Sequence, residues 1–221
     1  MARLARIVVP NLPHHVTQRG NRREQIFFCD DDYRSYFSML SLAVEKARSE
    51  VLAWCLMPNH VHLIIVPKDE DGLRQTVANA HRRYSVRINA QNEWTGYLWQ
   101  GRYSSVVMDE AHLYNAIAYV SLNPVRAGLV KRAQDWKWSS VHAHLKGKND
   151  GLTSIEPVIA RTGKFSKFLR QNWNDEDFDT FRKAEIVGRP VGSDDFIKNL
   201  ETKLDRKLFP QKRGRKIKNI V

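Results

Sequence analysis

An apolar run at residues 51–57 and a largely apolar one at 60–66, broken by His60 and His62, stand two residues apart across Pro58-Asn59. Each is far shorter than the roughly 20 apolar residues that a membrane-spanning helix needs. Their length and the Pro-Asn break between them predict two strands of an antiparallel hairpin. A hairpin of this kind must bury at least one face, and the flanking sequence supplies the cover. Upstream, Asp30, Asp31 and Asp32 mark a helix start, and Tyr33, Tyr36, Phe37, Leu40, Val44 and Ala47 follow at helical spacing. Downstream, Leu73, Val77, Ala80, Tyr84 and Ile88 form a second stripe. Further strands are expected at 14–19, ended by Gly20-Asn21, and at 101–108. The order β-α-β-β-α-β predicts an α+β, ferredoxin-like antiparallel sheet with two packing helices. Its second face is left open for another element.

That element is expected at 110–122, a helix capped by Asp109 and stopped by Asn123-Pro124. His112, Asn115, Tyr119 and Asn123 form a polar stripe along it. On the strand 60–66, residues two apart share a face, so His60 and His62 project together while Val61, Leu63 and Ile65 point the other way. Two imidazoles side by side can hold a divalent cation. A helix laid on the open face would aim Tyr119 and Asn123 at them. The carbonyl oxygen of Asn123 suits Mg²⁺ or Mn²⁺, and such a cation can help a phenol attack a phosphodiester. Each residue also has a bland reading: paired structural histidines, and a core tyrosine with a satisfied hydroxyl. His142 and His144 have the same spacing in a Trp-rich stretch without strand signals, and read as packing residues.

The charge balance narrows the partner. The chain has 221 residues with 36 Lys+Arg against 24 Asp+Glu, a net charge of +12. Such an excess points to a polyanion, most simply nucleic acid. Residues 201–221 hold eight basic residues against two acidic ones and end in a basic tail. Candidate DNA contacts are Arg19, Asn21, Arg22 and Arg23 at the end of the first strand and in the loop after it, Arg82 and Arg83 on the second helix, Arg102 at the start of the last strand, and Lys212, Arg213, Arg215 and Lys216 in the tail. Trp94, Tyr97 and Trp99 are either base-stacking platforms or core. Two cysteines, Cys29 and Cys55, make neither a disulfide framework nor a four-thiolate zinc site. Both are expected to be buried and inert in a reducing cytoplasm, associated with the nucleoid if DNA is the partner. The opening residues carry only the short run Ile7-Val8-Val9, less than the apolar core of a secretory signal. The division expected is 1–145 for the core domain, 146–208 for a helical extension packed through Trp136, Trp138 and Trp173, and 209–221 for the tail. Within the extension, helices are expected at 178–186, after a solvated acidic start, and at 193–208.

The block Met57-Pro58-Asn59-His60-Val61-His62-Leu63-Ile64 resembles the His-hydrophobic-His signature of single-tyrosine transposases of the insertion-sequence-200 type. The opening His14-His15-Val16-Thr17-Gln18-Arg19-Gly20-Asn21-Arg22-Arg23-Glu24 and the block from Tyr119 through Asn123-Pro124 to Val130 are similar to the branch associated with repetitive extragenic palindromes (REPs). The resemblance implies a metal-dependent nuclease and strand transferase acting on single-stranded DNA beside a hairpin, as a monomer or homodimer. It implies Tyr119 as the nucleophile of a 5′-phosphotyrosine intermediate and His60, His62 and Asn123 as metal ligands. Ser121 stands where some members carry a second tyrosine, so Tyr119 is the sole nucleophile expected, and Tyr114 is a decoy. His15 and His112 are candidates for a general base. The rivals are a catalytically silent hairpin-binding regulator on the same fold, a relaxase or rolling-circle initiator, and a non-nuclease metal enzyme.

Overall fold

The structure is a computed structural model that describes residues 6–209. Four strands, β1 (His14–Arg19), β2 (Glu50–Met57), β3 (His60–Val66) and β4 (Ser104–Val107), form one antiparallel sheet in the order β2-β3-β1-β4. This is the expected ferredoxin-like order. Helix α1 (Asp30–Ala47) connects β1 to β2, and α2 (Asn79–Asn92), entered through a π-helical turn, connects β3 to β4. Helix α3 (Glu110–Arg126) follows β4. The extension contributes α4 (Val141–Lys146), α5 (Glu156–Thr162), α6 (Phe165–Phe168), α7 (Asp175–Val187) and α8 (Asp194–Leu204).

Each face of the sheet has its own core. Val16, Val61, Leu63 and Ile65 pack under α1 and α2 with Tyr36, Leu40, Val77 and Tyr84. The Tyr84 hydroxyl donates to the Ile26 carbonyl at 2.6 Å, and the Trp99 indole donates to the His81 carbonyl at 3.1 Å. On the opposite face Ala53, Cys55, Met57 and Ile64 meet Leu113, Ala116, Ile117 and Val120 of α3, with Phe178 and Phe181 of α7. Short α8 and residues 7–12 close the β4 edge through Ile7, Val9, Val107 and Leu200.

Several details correct the sequence reading. Helix α3 runs through Pro124 to Arg126 instead of stopping at Asn123. A proline this close to a helix end forfeits only its own hydrogen bond, and the Ala127 amide still donates to the Asn123 carbonyl at 2.9 Å. Strand β4 is shorter than expected, because Gly101 adopts a left-handed φ of 62° and Arg102 lies outside the sheet pairing. The last helix likewise closes early, at Leu204, where Asp205 turns left-handed. Cys29 is exposed, unlike Cys55, because it sits at the α1 N-terminus, where the Asp32 carboxylate accepts from the Cys29 and Phe28 amides. Trp99 belongs to the core, whereas Trp94 and Tyr97 are exposed. His144 is a buried packing residue bonded to the Leu52 carbonyl, and His142 bonds the Trp136 carbonyl. Among the described residues no helix is long and apolar enough to cross a membrane.

His81 sits in the α1/α2 core, stacked on Trp99 at 4.1 Å and bonded to the Tyr36 hydroxyl at 2.9 Å. Burial holds its imidazole down, to about 3. The unfolded chain therefore takes up a proton near pH 6.5 that the folded chain refuses, so stability is full above that pH and falls as acid is added. The loss approaches about 1.4 kcal/mol per pH unit below the unfolded value. His81→Gln keeps a partner for Tyr36 and removes the titration. Urea unfolding at neutral pH and at about pH 4.5 should show a smaller loss for His81→Gln than for the parent chain.

Candidate active site

The site lies on the α3 face of the sheet. The β1–β3 register pairs Thr17 with His62 and Arg19 with His60, so the pleat sends all four side chains to one side. His15, two residues before Thr17, joins them. Met57 pairs with His60 across the hairpin turn. The turn also orients the first histidine: Asn59 Oδ1 pairs with His60 Nδ1 at 2.6 Å, leaving Nε2 for another partner. The Asn59 amide donates to the Arg23 carbonyl at 3.0 Å. Arg22 and Arg23 have left-handed φ angles of 53° and 63°, a conformation costing about 1–2 kcal/mol per residue. The Asn59 bond and the Arg23 amide donating to the Gly20 carbonyl at 3.0 Å brace that turn.

Helix α3 brings the other components. Tyr119 is buried, 4 % exposed, with its ring edge-on to His62 (centroids 5.4 Å) and His15 (5.6 Å). Asn123, one turn on, places its amide nitrogen 3.2 Å from His62 Nε2. Burial lowers all three histidines, His15 and His60 to about 3 and His62 well below its usual value, so each imidazole is neutral and carries a lone pair. Burial, with the Glu185 charge adding to it, pushes the Tyr119 phenol up from its ordinary value.

Glu185 of α7 reaches this cluster, and nothing in the sequence reading singled it out. Its Oε1 accepts the Tyr119 hydroxyl at 3.4 Å and lies 3.8 Å from both His15 Nδ1 and His62 Nδ1, while Oε2 faces Arg19 at 3.7 Å. Burial raises its carboxyl to about 7, and Arg19 opposes the rise. Ser104 of β4 donates to the Glu185 backbone carbonyl at 2.7 Å, tying α7 to the sheet. The one available signal was positional. Glu185 falls on the same helical face as Phe178 and Phe181, a carboxylate where the stripe calls for an apolar residue.

A cleft of about 640 Å³ opens beside Tyr119 and Glu185, with Arg19, Arg23, Arg102 and Arg182 on its walls. Asn21 and Arg22 line the neighbouring groove with Phe28, Trp94 and Tyr97. Arg82 and Arg83, by contrast, are exposed on α2, across the sheet from Tyr119. They therefore stand apart from the cleft, because the face of α2 that packs on the sheet carries His81, Tyr84 and Ile88. Lys212, Arg213, Arg215 and Lys216 lie outside the described residues. His112 is engaged with Asp109 at the α3 N-terminus. The Tyr114 hydroxyl meets Gln171 and its ring packs on Phe168, away from the histidines.

Two neutral imidazoles, with an amide beside them that offers its oxygen after a half-turn, make a donor set suited to a divalent cation. His15, His62 and Glu185 also present ligand-type atoms within 4.8 Å of one another. A phenol beside such a group and an arginine-lined cleft form an arrangement for nucleophilic attack on a phosphate ester.

Residues 8–123 match the family described as IS200-like transposases. Among curated proteins, a putative REP-associated tyrosine transposase of Haemophilus influenzae is 27% identical over 129 residues, 53% of this chain and 73% of that protein. The REP-associated tyrosine transposase of Escherichia coli K12 is 24% identical over 127 residues, 55% of this chain and 71% of that protein. Among solved structures, a REP-associated tyrosine transposase bound to a REP hairpin is similar in fold, with a TM-score of 0.54 and 22% identity over 70% of this chain and 90% of that one.

Phe181 packs nearly parallel to the Tyr119 ring at 5.8 Å, so it holds the phenol as well as the core. Phe181→Ala should cost about 3–5 kcal/mol of stability. Tyr114→Phe, which removes only the contact with Gln171, should stay within about 0.5 kcal/mol of the parent chain. Denaturant midpoints measured side by side check both.

Proposed function

Because the chain belongs to the IS200-like transposase family, we propose that it is a single-tyrosine nuclease and strand transferase for single-stranded DNA beside a REP-type hairpin. The observation that carries this reading is the meeting of Tyr119 with His62 and Asn123 inside one chain. That meeting also favours a site completed within a monomer over one shared across a homodimer. The proposal includes the division into a nuclease domain at 1–145, a helical extension at 146–208 and a basic tail at 209–221. It also includes action in the cytoplasm, on nucleoid DNA.

In this mechanism the Tyr119 oxygen attacks the phosphorus, the bond to the 3′-oxygen breaks, and the 5′-phosphate is left on the phenol. The 3.4 Å contact supports Glu185 as the acceptor of the phenol proton. The departing 3′-oxygen takes a proton from solvent. The covalent ester retains the energy of the broken bond, so a 3′-hydroxyl can reverse the step without a nucleotide triphosphate. Arg19, Arg102 and Arg182 line the cleft where the phosphate charge would lie. His60 and His62, through Nε2, and Asn123, through its amide oxygen, would hold a Mg²⁺ or Mn²⁺ ion, which when bound polarises the phosphate oxygens. Asn21, Arg22 and Arg23 are proposed to position the hairpin, with the tail lysines and arginines adding affinity that falls with salt. Arg82 and Arg83 are retained only as a distal backbone contact.

The near-complete burial of Tyr119 favours one other reading, a hairpin-binding regulator without catalysis. A labelled hairpin oligonucleotide with a single-stranded flank separates the two on a denaturing gel. The parent chain should form a covalent adduct in Mn²⁺, and Tyr119→Phe should form none while binding the hairpin within about twofold of the parent affinity. His60→Ala with His62→Ala should lower cleavage by at least about a thousandfold, and a chelator should reproduce that loss. A parent chain that binds the hairpin but yields no adduct establishes the regulator.

A further inference from the structure

His15 lies outside the His60, His62 and Asn123 donor set, yet it is fully enclosed and carries an unmet bond. Its Nε2 lies 3.1 Å from His62 Nδ1. The two rings are within 7° of parallel with centroids 5.3 Å apart, so they meet through their nitrogens. Its Nδ1 is buried with no hydrogen-bond partner among the described residues, and faces Glu185 Oε1 at 3.8 Å. A buried ring nitrogen without a partner is costly unless the ring is held for a reason.

We propose that His15, backed by Glu185, is a positioning residue that fixes His62 in the tautomer with hydrogen on Nδ1 and so presents its Nε2 lone pair to a divalent cation. This rests on the reading of His62 as a metal ligand. One hydrogen lies between the two facing nitrogens. If His15 Nε2 carries it, neutral His62 must hold its own hydrogen on Nε2, where it cannot ligate. His15 Nδ1 would then turn a lone pair toward a carboxylate oxygen. If His62 Nδ1 carries it, His15 holds its hydrogen on Nδ1, directed at Glu185, and every contact is attractive. The Asn123 amide nitrogen, 3.2 Å from His62 Nε2, fits the same state, since it then finds an acceptor. Arg19 beside Oε2 favours the charged carboxylate. The Ser104 bond to the Glu185 carbonyl holds the relay at its outer end. Helix α7 would thus act on the cation site through two rings, without contributing a ligand.

Nitrogen-15 NMR of the full chain without metal reads the tautomer, and an electron-paramagnetic-resonance titration reads Mn²⁺ affinity without reference to catalysis. The parent chain should show His62 protonated on Nδ1. His15→Leu should lose that pattern and bind Mn²⁺ about 10- to 100-fold more weakly. His15→Gln, whose amide oxygen can accept from His62 Nδ1, should recover most of the affinity, and thermal melts of the two variants separate this rescue from a difference in stability. A parent His62 protonated on Nε2 overturns the proposal, as does parental affinity in His15→Leu. Loss in both variants as complete as in His62→Ala also overturns it, because His15 would then be a ligand itself. Failure of the underlying reading looks different: parent, His15→Gln and His62→Ala would all leave Mn²⁺ free, whatever the tautomer.

Discussion

The seating of α3 on the open face of the sheet is the contact on which the site depends. Leu113, Ala116, Ile117 and Val120 settle on Cys55, Met57 and Ile64, and that apolar seam fixes where Tyr119 and Asn123 arrive. It also excludes water from the imidazoles, which is why all three are held neutral. Sequestering a phenol, a carboxylate and three rings is unfavourable unless each polar atom finds a partner. Most of the partners here are one another, Asn59 for His60, Asn123 and His15 for His62, and Glu185 for Tyr119, and His15 Nδ1 is the exception in the cluster. The same closeness that makes the cluster affordable to bury brings the phenol within reach of the carboxylate and the imidazoles.

The two faces of the sheet divide the work. Val16, Val61, Leu63 and Ile65 bind α1 and α2 and form a rigid platform. The alternate residues, His15, Thr17, Arg19, His60 and His62, are carried by that platform on its other side. Backbone pleating thus connects a conventional core to a polar site with no intervening loop, which limits how far the histidines can move. Arg22, Arg23 and Arg102 sit on less regular backbone at the rim, where the first two hold left-handed angles and Gly101 bends the chain before the third.

Much of this was written in short-range pattern. The period of two at His60 and His62, the apolar stripes of α1 and α2, and the four-residue step from Tyr119 to Asn123 each follow from local geometry. What was not legible depends on register or on distant packing. His15 lies diagonal to His62 because Thr17 pairs with His62, a pairing that no local signal specifies. Glu185 comes from 66 residues beyond Tyr119 and from a stretch whose periodicity is weak. Pro124 read as a stop because the rule for helix interiors was applied where only the last turn remained. That Arg82 and Arg83 lie across the sheet from Tyr119 was not legible either, because composition reports charge but not which side of the sheet bears it.

The central claim is that Tyr119 forms the covalent bond to DNA. Tandem mass spectrometry of protein trapped on a hairpin oligonucleotide, after digestion of both components, tests it most directly. The account predicts a single modified peptide, carrying a 5′-phosphonucleotide on the Tyr119 oxygen. Modification at any other residue, with Tyr119 recovered unaltered, contradicts it.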